Sequence, residues 1–182
     1  MKYVLGAMLM LLAGCSSSQQ PLSYYQLPAA PLYSKQDVTL AQELYVEPVK
    51  LASFLNGRGL VLQQSDVELV VARQHLWAEP LTQQLQRQLT DRLAPQLTDY
   101  VVILQPGSNT VRVALQLDGF HALAEGYAIV SGRFAISQRK GTETFSIRVA
   151  LTEDGYPALV AALAEGLQQL SQQIAQQLNN PA

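Results

Sequence analysis

Cysteine is nearly missing from this chain: there is one in 182 residues, at position 15. No disulfide can form within a single copy, so a folded domain must hold by packing alone. Histidine is almost as scarce. His75 and His121 have no cysteine or second histidine at ligand spacing, so the sequence supports no metal site. Charged residues make up only 14% of the chain, for a formal net charge of -2, and neither sign forms a run. That excludes the clustered basic face that nucleic acid requires and gives no polybasic hold on anionic lipid. The signatures of catalysis are missing too. There is no Gly-x-Ser-x-Gly elbow, no phosphate loop and no Gly-x-Gly-x-x-Gly. Glu43, Glu47, Glu79, Asp118 and Glu125 are separate carboxylates that form no obvious acid–base pair. The sequence predicts no catalytic residue, no metal ligand and no cofactor, and therefore no enzyme.

What is present begins at the N-terminus. Met1 and Lys2 precede an apolar run, Tyr3 to Leu12, that falls short of the roughly 20 residues a spanning helix needs. A basic start, a short apolar run and a small-residue exit make a secretory signal. The exit here is Leu12-Ala13-Gly14-Cys15, which resembles a bacterial lipobox. By that resemblance residues 1–14 are removed, Cys15 receives acyl chains such as palmitate, and residues 15–22 are a flexible tether. Ser16, in place of Asp, resembles the sorting signal of outer-membrane lipoproteins and implies the periplasmic face of that membrane.

Beyond the tether the chain alternates between strand and helix patterns. Ser23 to Leu27 is a short β-prone segment between Pro21 and Pro28, and a loop carrying Leu32 and Tyr33 follows. Leu40 to Val49 reads as a strand with Leu44 and Val46 on one face. Leu60–Gln63 and Val67–Val71 read as a hairpin around Ser65-Asp66. Leu51, Phe54 and Leu55 either pack beneath the turn before it or form an exposed apolar lip. Leu81, Leu85, Leu89 and Leu93 step by four, with glutamines covering the other faces, which predicts a helix starting at Pro80 and ending before Pro95. Tyr100–Leu104 reads as a buried strand. Thr110–Leu117, Tyr127–Gln138 and Glu143–Leu151 alternate and predict an antiparallel meander. Tyr156–Leu178 carries apolar residues at steps of three and four. Its other side is an uncharged ladder of glutamines, either a solvated face or a partner surface. The sum is one α/β domain of the α+β kind over residues 23–182, a mixed, mostly antiparallel sheet with two long helices packed on one face.

His75-Leu76-Trp77-Ala78-Glu79-Pro80-Leu81 stands out because it holds the single tryptophan. Trp77 is expected to plug the space between helix and sheet, with Glu79 at the helix N-terminus, where an anion is favoured. The alternative is a docking corner, since tryptophan and tyrosine anchor interfaces. His75 is expected as a hydrogen-bonded packing residue and His121 as half exposed.

The lipobox, Tyr24-Tyr25-Gln26-Leu27, Val46-Glu47-Pro48-Val49 and above all Trp77-Ala78-Glu79-Pro80-Leu81 resemble the PqiC (YmbA) family of ABC-type transport auxiliary lipoproteins. The likeness spans nearly the whole mature chain. It implies an outer-membrane lipoprotein of an MCE-type lipid transport system that supports envelope integrity. The partners it implies are a PqiB-like MCE-domain protein crossing the periplasm and that protein's inner-membrane partner. Because MCE proteins form rings, a ring-shaped homo-oligomer is expected. Tyr24, Tyr25, Leu27, Trp77, Glu79 and Pro80 are the candidate docking or motif residues. Two other functions share the anchor and the small domain: an activator lipoprotein for a cell-wall synthase, and a lipid-binding carrier.

Overall fold

The computed structural model describes residues 21–30 and 41–180. The signal segment, Cys15, most of the tether, and Leu32 and Tyr33 lie outside the described residues. Among those described, the chain order is β1 (Ser23–Tyr25), β2 (Gln42–Val46), β3 (Lys50–Leu51), β4 (Gly59–Ser65), β5 (Glu68–Trp77), α1 (Leu81–Leu93), β6 (Tyr100–Val102), β7 (Val111–Leu123), β8 (Tyr127–Ile136), β9 (Glu143–Ala150) and α2 (Tyr156–Asn179). All the strands belong to one mixed sheet. The long pairings, β4 with β5, β7 with β8 and β8 with β9, are antiparallel. The short ones, β1 with β5, β2 with β6, and β2, β3 and β4 with β7, are parallel.

β7 is the spine. One edge pairs with β8 along nearly its whole length. The other edge takes three short strands in succession: β2 at Val111–Val113, β3 at Gln116–Leu117 and β4 at Ala122–Leu123. These three are one extended segment with two interruptions. The first is at Pro48, which has no N–H for the ladder. The second is the 3₁₀ turn Ser53–Leu55, which leaves the sheet to bury Leu55. Backbone bonds from Glu47 N to Val113 O and from Ala52 N to Leu117 O, both 2.9 Å, extend the ladder one residue past the ends of β2 and β3. Leu55 is buried and Phe54 half-buried against the core, so this region packs locally.

The alternation that identifies β7 in sequence stops at Leu117, yet the strand runs on to Leu123. A register shift lies between Leu117 and Gly119. An extra residue in a strand flips the phase of every later side chain. The buried set therefore changes from Val111, Val113, Leu115 and Leu117 to Phe120 and Ala122. Gly132 sits opposite Leu117, and a Cβ there would lie 2.1 Å from Gln116 O. Only glycine permits the close approach.

Both helices cover the same face. α2 lies on β8 and β9, where Gly166 brings it so near that a Cβ would meet Val130 Cγ2 at 2.6 Å. Leu163, Leu167, Leu170, Ile174 and Leu178 of α2 and Leu85, Leu89 and Leu93 of α1 are fully buried. The opposite face of β8 and β9 carries Arg133, Thr144, Ser146 and Arg148 in solvent, as expected of a sheet with one covered side.

The sequence reading also needs correcting along α1, β5 and β6. α1 buries more than its leucines. Gln84, Gln88 and Arg92 are buried as well, because the segment after β1 covers the flank where those residues project. The predicted strand Val67–Val71 does not stop there: β5 continues through His75-Leu76-Trp77, held by β1 and β4. Pro80 is the N-cap residue of α1 and lies just before its first turn. Tyr100–Leu104 is a half-buried strand of three residues, with Leu104 in solvent.

Gly132→Ala should lower unfolding stability by about 1–3 kcal/mol or more, the cost of forcing atoms into a packed site. Gly57→Ala, which meets nothing within 4 Å, should be near neutral. Chemical denaturation of the two variants compares them directly.

Candidate functional site

The motif residues come together at one corner. β1 pairs with the end of β5, setting Tyr24 opposite Leu76 and Tyr25 opposite Trp77. Trp77 N donates to Arg58 O, and Ala78 N donates to Tyr25 O at 2.7 Å. The Arg58 guanidinium returns bonds to the carbonyls of Trp77 and Ala78 and lies 5.4 Å from the Tyr24 ring. Gln84 fastens the corner to α1. Its Oε1 accepts from Leu27 N at 2.9 Å, and its Nε2 donates to Glu79 O at 3.3 Å. The Tyr25 hydroxyl meets His75 Nδ1 at 3.0 Å, and the His75 ring stacks on Tyr156, the first residue of α2, at 3.7 Å. One histidine thus joins β1, β5 and α2.

This corner is mostly structural. Trp77 is 3% exposed and packs against Phe120. Leu27 is buried. Tyr24, at 54% exposure, is the candidate that presents a broad surface. The Glu79 side chain does not cap the helix. It pairs with Arg87 one helical stretch on, and that hydrogen bond holds its carboxyl below the usual carboxylate range. What the corner fixes is the place and direction in which the chain enters the domain. Gln84 was not legible as part of it, because glutamine fills every other face of the same helix.

His121 departs from the half-exposed position expected of it. It is 6% exposed, with Nε2 at 3.0 Å from Gln63 Oε1 and the ring of Phe54 edge-on at 5.8 Å. Its Nδ1 is buried without a partner. Burial pushes its pKa down, disfavouring the charged ring. The register shift turns Phe120 and Ala122 to the helix-covered face and His121 to the other, where Phe54 and Gln63 bury it. No group of three metal-ligating side chains gathers among the described residues, and no described helix is long and apolar enough to cross a membrane.

The domain has two distinct ends, separated by the length of β7, ~40 Å for a strand of its 13 residues. At one end lie the β4–β5 hairpin tip and the β7–β8 turn, joined by the bond from Ala124 N to Gln63 O. At the other lie the β8–β9 turn, β6 and the C-terminus of α2. A cleft of about 450 Å³ opens at this second end among Tyr100, Phe134, Arg139, Lys140, Glu143 and Gln177. Arg139 donates to Gln177 Oε1 and to Asn180 O, a cation against the negative end of a helix. The cleft offers hydrogen bonds, both charges and an aromatic edge.

The sequence matches the family model for the ABC-type transport auxiliary lipoprotein component over residues 25–175. It is 36% identical over 171 residues to "Intermembrane transport lipoprotein PqiC" of Escherichia coli strain K12, covering 92% of this chain and 91% of that protein. The Shigella flexneri protein of the same name matches equally. An uncharacterized protein of known crystal structure superposes with a TM-score of 0.78 at 34% identity, covering 87% of this chain and 99% of the other. A crystal structure from Xanthomonas campestris shares the fold, with a TM-score of 0.69 at 16% identity over 86% of this chain and 95% of its own.

Two outcomes are expected. Gln84→Ala leaves Leu27 N and Glu79 O without partners and should cost about 1–3 kcal/mol in denaturant titration. The folded pKa of His121 lies below its unfolded value, so its contribution favours folding above about pH 6.5 and is lost as pH falls below that. Thermal melts at pH 7 and pH 5 should show a smaller drop for His121→Gln than for the parent.

Proposed function

The chain belongs to the family of ABC-type transport auxiliary lipoproteins, and on that premise we propose that it is the outer-membrane adaptor of an intermembrane lipid transport system. Acyl chains on Cys15 hold it to the periplasmic face of the outer membrane. Its far end docks a periplasm-spanning MCE-domain protein, whose own inner-membrane partner completes the system. The adaptor carries out no reaction. The observation that carries this reading is the polarity of the domain: the chain enters at the Tyr24–Trp77 corner, and the cleft at Arg139 and Glu143 lies at the other end of β7.

The rival functions are less well supported. A lipid carrier would use the space between sheet and helices, and side chains such as Leu117, Leu163 and Leu170, at or near zero exposure, fill it. A synthase activator remains separable by its partner. A photo-crosslinking residue placed at Lys140 of the membrane-bound protein should capture the MCE protein. Capture of a cell-wall synthase, or of nothing, would count against the proposal. A ring-forming partner also favours a closed cyclic assembly of this chain. Native mass spectrometry of the lipidated protein should then give one oligomer larger than a dimer, and monomer throughout would contradict it.

A further inference from the structure

Four aliphatic side chains at the tip of the β4–β5 hairpin stand in water. Val67 is 95% exposed, Leu69 and Val70 41% each, and Val71 47%. Leu69 and Val71 project from one face of β5 and Val70 from the other. The outer edge of β5 from Glu68 to Gln74 has no strand beside it among the described residues. Folded proteins normally blunt such an edge with charge, proline or cover. This one has apolar residues on both faces. No lysine or arginine occurs from Gly59 to Ala72, where the charges are the carboxylates Asp66 and Glu68 beside Val67; the edge's one cation, exposed Arg73, stands beyond the apolar tip.

We propose that this hairpin seats in the headgroup–acyl boundary of the membrane that holds Cys15, an inference that rests on the lipidation of that cysteine. The direction of β1 carries it. β1 runs parallel to β5 with Ser23 opposite His75, so the chain reaches the domain from the side on which the hairpin tip lies. Cys15 precedes Ser23 by eight residues, which at full extension span at most about 26–29 Å. From His75 back to Glu68 the hairpin covers about 23 Å of strand. Even at full extension the tether outreaches the hairpin by only about 3–6 Å. Anchoring Cys15 therefore leaves the tip at or within the membrane surface, or tilts the domain until the outer edge of β5 lies on it. Either orientation places Val67, Leu69, Val70 and Val71 against lipid. The contact at the tip is apolar, since the charges there are the carboxylates Asp66 and Glu68 and the first cation, Arg73, lies further along β5, so it should weaken little as salt is raised.

The native cysteine makes the test clean. In the lipidated full-length protein the Cys15 thiol is consumed, so Val67→Cys supplies a single free thiol for an environment-sensitive fluorophore. Lys140→Cys, at the opposite end, serves as the reference. The probe is a vesicle of phosphatidylethanolamine and phosphatidylglycerol carrying shallow spin-labelled lipid. Co-flotation reads anchoring, and emission and quenching read the hairpin. The expected result is flotation, a blue shift and quenching at position 67 that persist in high salt, and neither change at position 140. Flotation with a water-like spectrum at position 67 would overturn the hairpin contact while leaving the anchor standing. Failure to float would overturn the anchor and the contact with it. A blue shift without vesicles that grows with protein concentration would assign the hairpin to a second copy. A shift that appears only with the MCE protein present would assign it to that partner.

Discussion

One strand edge governs this fold. β7 is fully paired with β8 on one side, and its other side must be satisfied by a chain segment that passes only once, in the parallel direction. A buried backbone group left unpaired costs as much as a lost hydrogen bond. The segment from Gln42 to Ser65 therefore meets β7 three times, leaving it where Pro48 cannot donate and where Leu55 reaches the core. The last contact, at Ala122–Leu123, aims the β4–β5 hairpin off the end of the sheet. The orientation of that hairpin, the placement of β1 beside it and the direction in which the tether enters all follow from how β7 is completed.

The polar side chains inside the domain serve the same end. Gln84 uses both ends of its amide to join the exit of β1 to the start of α1. Arg92 reaches Pro28 O and Gln168, and Gln96 reaches Ser171. His75 stacks between elements that are remote in sequence. These groups stitch segments together, and none is paired with a nucleophile. A domain built in this way offers surfaces at its two ends and a filled middle, which fits a tether better than a vessel.

Much of this was legible in the residues, and what escaped did so for physical reasons. The meander and the two helices showed through their periodicity, because each buries one regular face. The parallel contacts of β2, β3 and β4 did not show, since short strands with proline and turn residues between them carry no periodic signal. The continuation of β7 was hidden by the shift after Leu117, which reverses the alternation, and His121 was misplaced because Phe54 and Gln63, which bury it, come from a segment remote in sequence. Gln84 and Gln88 looked like solvent residues because their neighbours Gln83 and Gln86 are at least partly exposed. The membership of Tyr24, Tyr25, Leu27, Trp77, Glu79 and Pro80 in one cluster was carried by resemblance. The structure adds that Leu27 and Trp77 face inward, Tyr25 and Glu79 are half-buried, and Tyr24 and Pro80 are exposed.

On the proposed adaptor reading, the work of the folded domain depends on its being attached at one end. Cys15→Ala, exported to the periplasm by an ordinary signal peptide at the abundance of the parent, tests this most directly in cells lacking the native copy. The chain should fold, melt like the parent and still bind the MCE protein, yet fail to restore the envelope barrier. Full restoration by the untethered protein would contradict the tether.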